Sequence, residues 1–417
     1  MLLVNKCTPG VHKRVTEENM RKLNKTAACG ILAAALAAGT LSGCSKAIDG
    51  TKTVATVGDE KVTLGLASYM TRDQQAQTVS YYNMLMSQYG VSGSASNVWD
   101  QKGDDGKTVG ESSKDSVMKT INQLYVLKAH AADYDVTITE DEEKAIKEAA
   151  AEFIKDNDEK ILKKLAVSED DIVTYLELVT IRSKMHDPMT ADVDTEVSAN
   201  EKDQTRVTIV KVSTEGTEKD DDGNTIDLTD EEKAQKKDLA QQVLDKVKAS
   251  DDVANADMDA LAKEVDDSLS ATAPAFTTAG DTDDTLDEAV QDAALELKDG
   301  EVADKVIEGD DGYYVVRLDK MLDEDATENK EKTVISERKS DLYDSTLEDW
   351  VKEEKIKVDD KVWDQIKVTD SVSFEYKSKD SSEGDSTAAD ADSTKDTEDT
   401  SAQDSSASDS AAEDSAE

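Results

Sequence analysis

The chain has 417 residues, 49 of them basic and 94 acidic, which leaves a formal net charge of -45. So acidic a chain repels phosphate backbones and argues against a nucleic-acid partner. Hydrophobic residues make up 37% and aromatic ones 4%, enough for one or two modest cores once the polar end is set aside.

From the N-terminus, the first informative stretch is MRKLNKTAACGILAAALAAGTLSGC, residues 20–44. Arg21, Lys22 and Lys25 make a positive n-region, and Ile31 to Leu41 an apolar run too short to span a bilayer comfortably. Leu41-Ser42-Gly43-Cys44 follows at once. This resembles a bacterial lipoprotein signal, which implies acylation of the Cys44 thiol and cleavage that leaves Cys44 as the new N-terminus. The competing reading is an ordinary signal peptide with an incidental cysteine. Residues 1–19 do not fit such a signal, so Met20 is the expected start. Processing at Cys44 would remove Cys7 and Cys29, leaving no partner thiol for a disulfide or a thiolate metal site within a monomer. His130 and His186 would be the remaining imidazoles, and they read as surface residues. No metal and no cofactor is expected.

KTVATVGDEKVTLGLASYM, residues 52–70, predicts a strand through Val54 and Val57, a Gly58-Asp59 turn, a return through Val62, and a helix capped by Thr63. Residues 64–90 carry Leu66, Tyr69, Met70, Tyr81, Met84 and Leu85 at helical spacing. Met84 and Met86 suit either an adaptable binding face or, the favoured reading, core. Residues 114–134 predict a second helix with Val117, Ile121, Leu124, Tyr125 and Leu127 inward. Thr139 with Glu142, and Ser168 with Asp171, have capping-box spacing and open two more, the last running to about Met185 before Pro188. A fifth amphipathic helix is expected over 328–354.

Between these, residues 205–321 change character. TRVTIVKVST alternates as a strand should, two helices and a shorter one over 286–297 follow, and LKDGEVADKVIEGDDGYYVVRL, residues 297–318, reads as a Gly-punctuated hairpin. This predicts an α+β domain inserted in a helical one. Residues 218–232 have the look of a calcium loop. Thr229, however, stands where the bidentate Glu would be, so a solvated turn is favoured. Residues 378–417 are almost wholly Ser, Asp, Ala, Glu and Thr and predict a disordered, solvated tail.

VATVGDEKVTLGLASYM, INQLYVLKAHAADYDVTITEDEEKAI, and the run from LAKEVDDS through Gly280-Asp281 to GEVADKVIEGDDGYYVVRL are similar to the PrsA/SurA group of extracytoplasmic foldases. The resemblance implies an α+β fold, with a split helical chaperone domain and an inserted parvulin-like domain of the PpiC peptidyl-prolyl isomerase type. The expected boundaries are an extension plus leader over 1–43, the helical domain over 44–204 and 322–377, the parvulin-like domain over 205–321, and the tail over 378–417. Parvulins place a histidine on each of two neighbouring strands. By resemblance those positions hold Thr208 and Tyr314 here. The acidic position falls on Ser268 beside Asp267, and Leu286 and Val290 stand in the floor with Tyr314 as the substrate-binding set.

Isomerisation needs an apolar slot for the prolyl ring and a site that favours the twisted amide. With neither histidine in place, weak or absent isomerase activity is the expectation. The leading reading is a chaperone or foldase at the extracytoplasmic face of the cell membrane, lipid-anchored through Cys44 and binding unfolded exported proteins, with a homodimer left open. The alternatives are a working parvulin-type isomerase and a structural or solute-binding lipoprotein. The last is weakened by the missing βα alternation.

Overall fold

Of the residues read as a leader, the computed structural model describes only the short strand β1 (Leu36–Ala38), which pairs antiparallel with the last described strand, Phe374–Tyr376. The described residues are 36–38, 48–88, 98–216, 219, 225–277, 286–372 and 374–376. Cys44, Gly280, Asp281 and the 378–417 tail lie outside them.

Val54, Val57 and Val62, all buried, build the hairpin of β2 (Thr53–Val57) and β3 (Glu60–Thr63) around Gly58, whose φ of 57° suits the turn. The Thr63 hydroxyl accepts the Leu66 N–H at 3.1 Å and opens α1 (Leu64–Gln88), as expected. Leu64 through Arg72 are buried on every side. Gly65 permits this approach, since a Cβ there would lie 2.3 Å from an Asp171 carboxylate oxygen. Farther along, α1 outruns its neighbours: Met84 is 62% exposed and Tyr81 48%. The core reading of Met84 is therefore corrected: among the described residues the last buried position of that helix is Val79, packed with Trp99 and Val368, and Met84 lies more than a turn beyond it.

α2 (Val109–His130) starts earlier than expected because Thr108 and Glu111 form a capping box. It buries Val117, Ile121, Leu124, Tyr125 and Leu127. The Thr139–Glu142 and Ser168–Asp171 boxes are both closed and start α3 (Glu140–Asp156) and α5 (Glu169–Met189). A short α4 (Glu159–Leu165), capped by Asp158, stands between them. α5 runs past the expected end at Met185 and takes in Pro188. A proline in the last turn forfeits a single backbone bond, so the helix survives it. The scarce aromatics are concentrated here, with Tyr69 meeting Phe153 and Tyr175 edge to face at 5.4 and 5.0 Å between centroids.

After the one-turn α6 (Ala199–Lys202) comes the mixed unit: β4 (Gln204–Ser213), α7 (Asp230–Lys248), α8 (Met258–Lys263), β5 (Ala271–Thr272), β6 (Ala275–Thr277), α9 (Glu288–Leu295), β7 (Ile307–Glu308) and β8 (Gly312–Lys320). Its sheet is antiparallel in the order β5-β4-β8-β7, with β6 also on β4. The Thr229 hydroxyl caps α7 by accepting the Glu232 N–H. Then α10 (Glu324–Glu353), β9 (Ile356–Val358), α11 (Asp360–Trp363) and β10 (Phe374–Tyr376) return to the helical part. β9 pairs with β2, Val57 opposite Ile356 and Ala55 opposite Val358.

The helical core is thus fed from both sides of the inserted unit: Leu347, Trp363, Ile366 and Phe374 pack with residues before Thr190. Sheet and helices of the insert form two thinner cores, one on each face. The fold is α+β, in agreement with the sequence, and the described residues fall in one compact unit ending at Tyr376. Two chain crossings join the parts side by side, Asp323 donating its N–H to the Gln204 carbonyl at 2.8 Å. Among the described residues no helix is long and apolar enough to cross a membrane.

Candidate functional site

In a strand, successive side chains point to opposite faces, so register decides which residues share a site. β4 and β8 pair with Thr208 opposite Arg317, Ile209 opposite Val316 and Lys211 opposite Tyr314. Thr208 and Lys211 are an odd number of residues apart. Thr208 and Tyr314 therefore point to opposite faces of the sheet, and the structure does not bring the two expected histidine positions together.

Each belongs to a different environment. On the α7–α8 face, the Thr208 hydroxyl donates to Asp319 at 2.6 Å, and Arg317 Nε donates to the other Asp319 oxygen at 2.7 Å. Arg317 also donates to the carbonyls of Val253 and Ala256, at 3.2 and 2.8 Å, and to Thr208 at 3.3 Å. With Arg317 buried, this is a satisfied clamp that fixes the Val253–Asn255 turn to the sheet. Asp267 and Ser268 lie exposed on the turn after α8, next to Leu269 of the same core. Ser268 is spent on Asp266, its N–H and hydroxyl both donating to that carboxylate.

The α9 face holds the other candidates. Tyr314 and Val290 are buried together with Phe276, Ile307 and Val316, and Leu286 packs half-buried against them. Leu286, Val290 and Tyr314 therefore meet on this face of the sheet. The Tyr314 hydroxyl donates to Asp311, whose other oxygen accepts the Lys211 ammonium. Burial pushes the Tyr314 phenol well above its ordinary 10, and the Asp311 bond pushes it further. Partial burial alone would raise the Asp311 carboxyl, but the hydrogen bonds from Lys211 and Tyr314 outweigh it and hold it below the usual range. The phenol thus stays protonated and engaged at any physiological pH.

Asp287 closes the far side. One oxygen caps α9 at the Ala289 N–H, 2.9 Å, and the other accepts the Asp310 N–H at 2.7 Å. Gly309 is needed there, because a Cβ would lie 2.4 Å from Asp287 and 2.9 Å from the Tyr314 ring. Lys211, Asp287, Asp311, Arg317 and Asp319 were not singled out from sequence. The alternation of β4 and the DDG run before Tyr314 were the available signals. A cleft of about 350 Å³ lies instead on the helical part, lined by residues that include Met118, Asn122, Val351 and Trp363.

The inserted unit is thus an antiparallel sheet with a helix pair on one face and a short helix on the other. Residues 218–331 match the family model described as the PPIC-type PPIASE domain. The match takes in Asp267, Ser268, Leu286, Val290 and Tyr314 and begins after the strand that carries Thr208. Among solved structures, the chain is similar to the peptidylprolyl isomerase PrsA from Bacillus cereus, at 18% identity over 64% of this chain and 95% of that one, TM-score 0.28. It is also similar to PrsA from Bacillus anthracis, at 16% identity over 57% and 96%, TM-score 0.25. The foldase PrsA from Streptococcus pneumoniae matches at 18% identity over 64% and 97%, TM-score 0.22. With TM-scores this low, these likenesses carry no further argument. No curated protein matches the chain.

Proposed function

We propose that the chain is an extracytoplasmic chaperone or foldase, held at the membrane through a lipid on Cys44, that binds unfolded exported proteins and has little or no isomerase activity. The observation behind the last clause is the opposite facing of Thr208 and Tyr314, with the Tyr314 hydroxyl committed to Asp311. A polar centre for the twisted amide needs groups that converge on one spot. Here one candidate is spent in a structural clamp and the other in a core. The buried floor around Val290 offers apolar packing from Phe276, Ile307 and Val316. Binding should therefore outlast catalysis.

The test uses the full chain in two assays, cis-to-trans relaxation of an Xaa-Pro peptide without protease and suppression of aggregation of an unfolded client. A flat first assay with an active second supports the reading. Acceleration comparable to an active parvulin overturns it and promotes the working isomerase, the reading that the family match on residues 218–331 favours. Thr208→His with Tyr314→His should leave the first assay flat, because the two imidazoles would sit on opposite faces of the sheet.

A further inference from the structure

β10 is held from behind by α1. Phe374 is 2% exposed beneath the Arg72 guanidinium, 4.9 Å from the ring centroid, and the Tyr376 hydroxyl donates to Asp73 at 2.8 Å. Gln75 donates to the Val372 carbonyl at 3.0 Å. None of these bonds involves β1.

That edge is occupied by Leu36, Ala37 and Ala38, opposite Tyr376, Glu375 and Phe374. Leu36 is 1% exposed, and its N–H donates to the Asn157 side-chain oxygen at 2.9 Å. Asn157 is itself 6% exposed, and its NH2 group is committed to the Phe153 carbonyl at 2.9 Å. This orients its oxygen toward an incoming backbone amide. The site therefore has three parts: a sheet edge, a buried acceptor and a pocket for one large apolar side chain.

The occupant comes from the apolar run read as the leader, and cleavage before Cys44 would release it. The argument rests on that reading of Cys44. Processing would leave an open edge and an Asn157 oxygen that has lost the Leu36 N–H. We propose that the edge of β10, freed of residues 36–38, is a docking site for an extended apolar segment of an unfolded exported polypeptide, taken up as an added strand. A Leu-Ala-Ala strand is already seated there. This sets the chemistry: one large aliphatic side chain at the Leu36 position, a free backbone N–H for Asn157, and no proline in the paired positions.

The probe is a fluorescent peptide with the sequence of residues 31–41, measured by anisotropy against the full-length precursor of a Cys44→Ala variant, which keeps residues 1–43, and against the processed chain that begins at residue 44. The processed chain should bind and the precursor should not. Ala37→Pro in the peptide should abolish binding, and Asn157→Leu in the protein should weaken it about tenfold, as a loss of about 1.4 kcal/mol implies. The peptide variant keeps the test decisive should Asn157→Leu fail to fold. No binding by the processed chain, or binding indifferent to Ala37→Pro, overturns the proposal. The mass of the mature N-terminus reports separately on the leader. A chain uncut in cells whose recombinant 44–417 form still binds the peptide upholds the edge and removes the leader reading alone.

Discussion

The helical part and the inserted sheet solve the same problem with unequal means. The helical part draws on two stretches of chain that flank the insert and gathers them into one core, in which Tyr69 meets Phe153 and Tyr175 edge to face. The insert splits a smaller stock of apolar residues between two faces of a single sheet, and polar clamps such as Thr208–Asp319–Arg317 tie its turns. The first is stabilised mainly by apolar volume. The second depends more on polar groups finding their partners, which leaves few of them free for chemistry.

The largest expected effect is therefore in the helical core. Tyr69→Ala removes two aromatic contacts and a buried ring, at a cost of about 3–5 kcal/mol in urea unfolding followed by circular dichroism. The same loss should appear in a chain lacking residues 205–321, with Gln204 joined to Leu322, because distant sites act additively. The ends to be joined already touch through Gln204 and Asp323, and β9 still closes on β2. A deletion chain without a cooperative transition would break the comparison, since the two parts would then share one stability.

Next is the clamp. Arg317→Met keeps much of the volume but leaves Asp319 with only Thr208 and strips donors from the carbonyls of Val253 and Ala256. Breaking a buried pair from one side should cost the insert about 3 kcal/mol. Arg317→Lys should recover only part of it, since one ammonium cannot span the same acceptors. A change within experimental error would mean that the insert rests on its apolar faces after all.

Local signals were legible in the sequence and long-range register was not. Thr139 with Glu142, Ser168 with Asp171, and the Thr63 hydroxyl act within four residues, and each cap forms where the spacing places it. The Thr108–Glu111 box obeys the same rule and lies just ahead of residue 114, where the apolar spacing begins. Met84 was misread because helical spacing names a face without saying how far the neighbours reach. The facing of Thr208 and Tyr314 was hidden for another reason. Their relative facing depends on pairing between strands about a hundred residues apart, with a register shift between Arg206 and Val207, and a one-residue slip reverses the answer. Leu286 and Val290 lie outside the paired strands, carry no such parity, and pack against Tyr314.

The smallest effect separates the parts by pH. Burial alone would raise the Glu142 carboxyl, but hydrogen bonds from Lys184 of α5 and from the Thr139 N–H and hydroxyl hold it below its ordinary 4.5. A carboxylate depressed in the folded state stabilises above its unfolded pKa, and the stabilisation disappears as pH falls through the lower folded value. Glu142→Gln should therefore cost about 1 kcal/mol at pH 7, a cap plus a partly exposed ion pair, and progressively less as pH falls below 4.5. Glu232, in the equivalent box of α7, bonds only to Thr229 among its hydrogen-bond partners. Glu232→Gln should thus cost less at pH 7 and change less with added salt, because no cation from a second helix takes part. Urea titrations of both variants at pH 7 and pH 3 give the comparison. Equal losses would mean that Lys184 contributes nothing across the α3–α5 contact and that the helical part is held there by apolar packing alone.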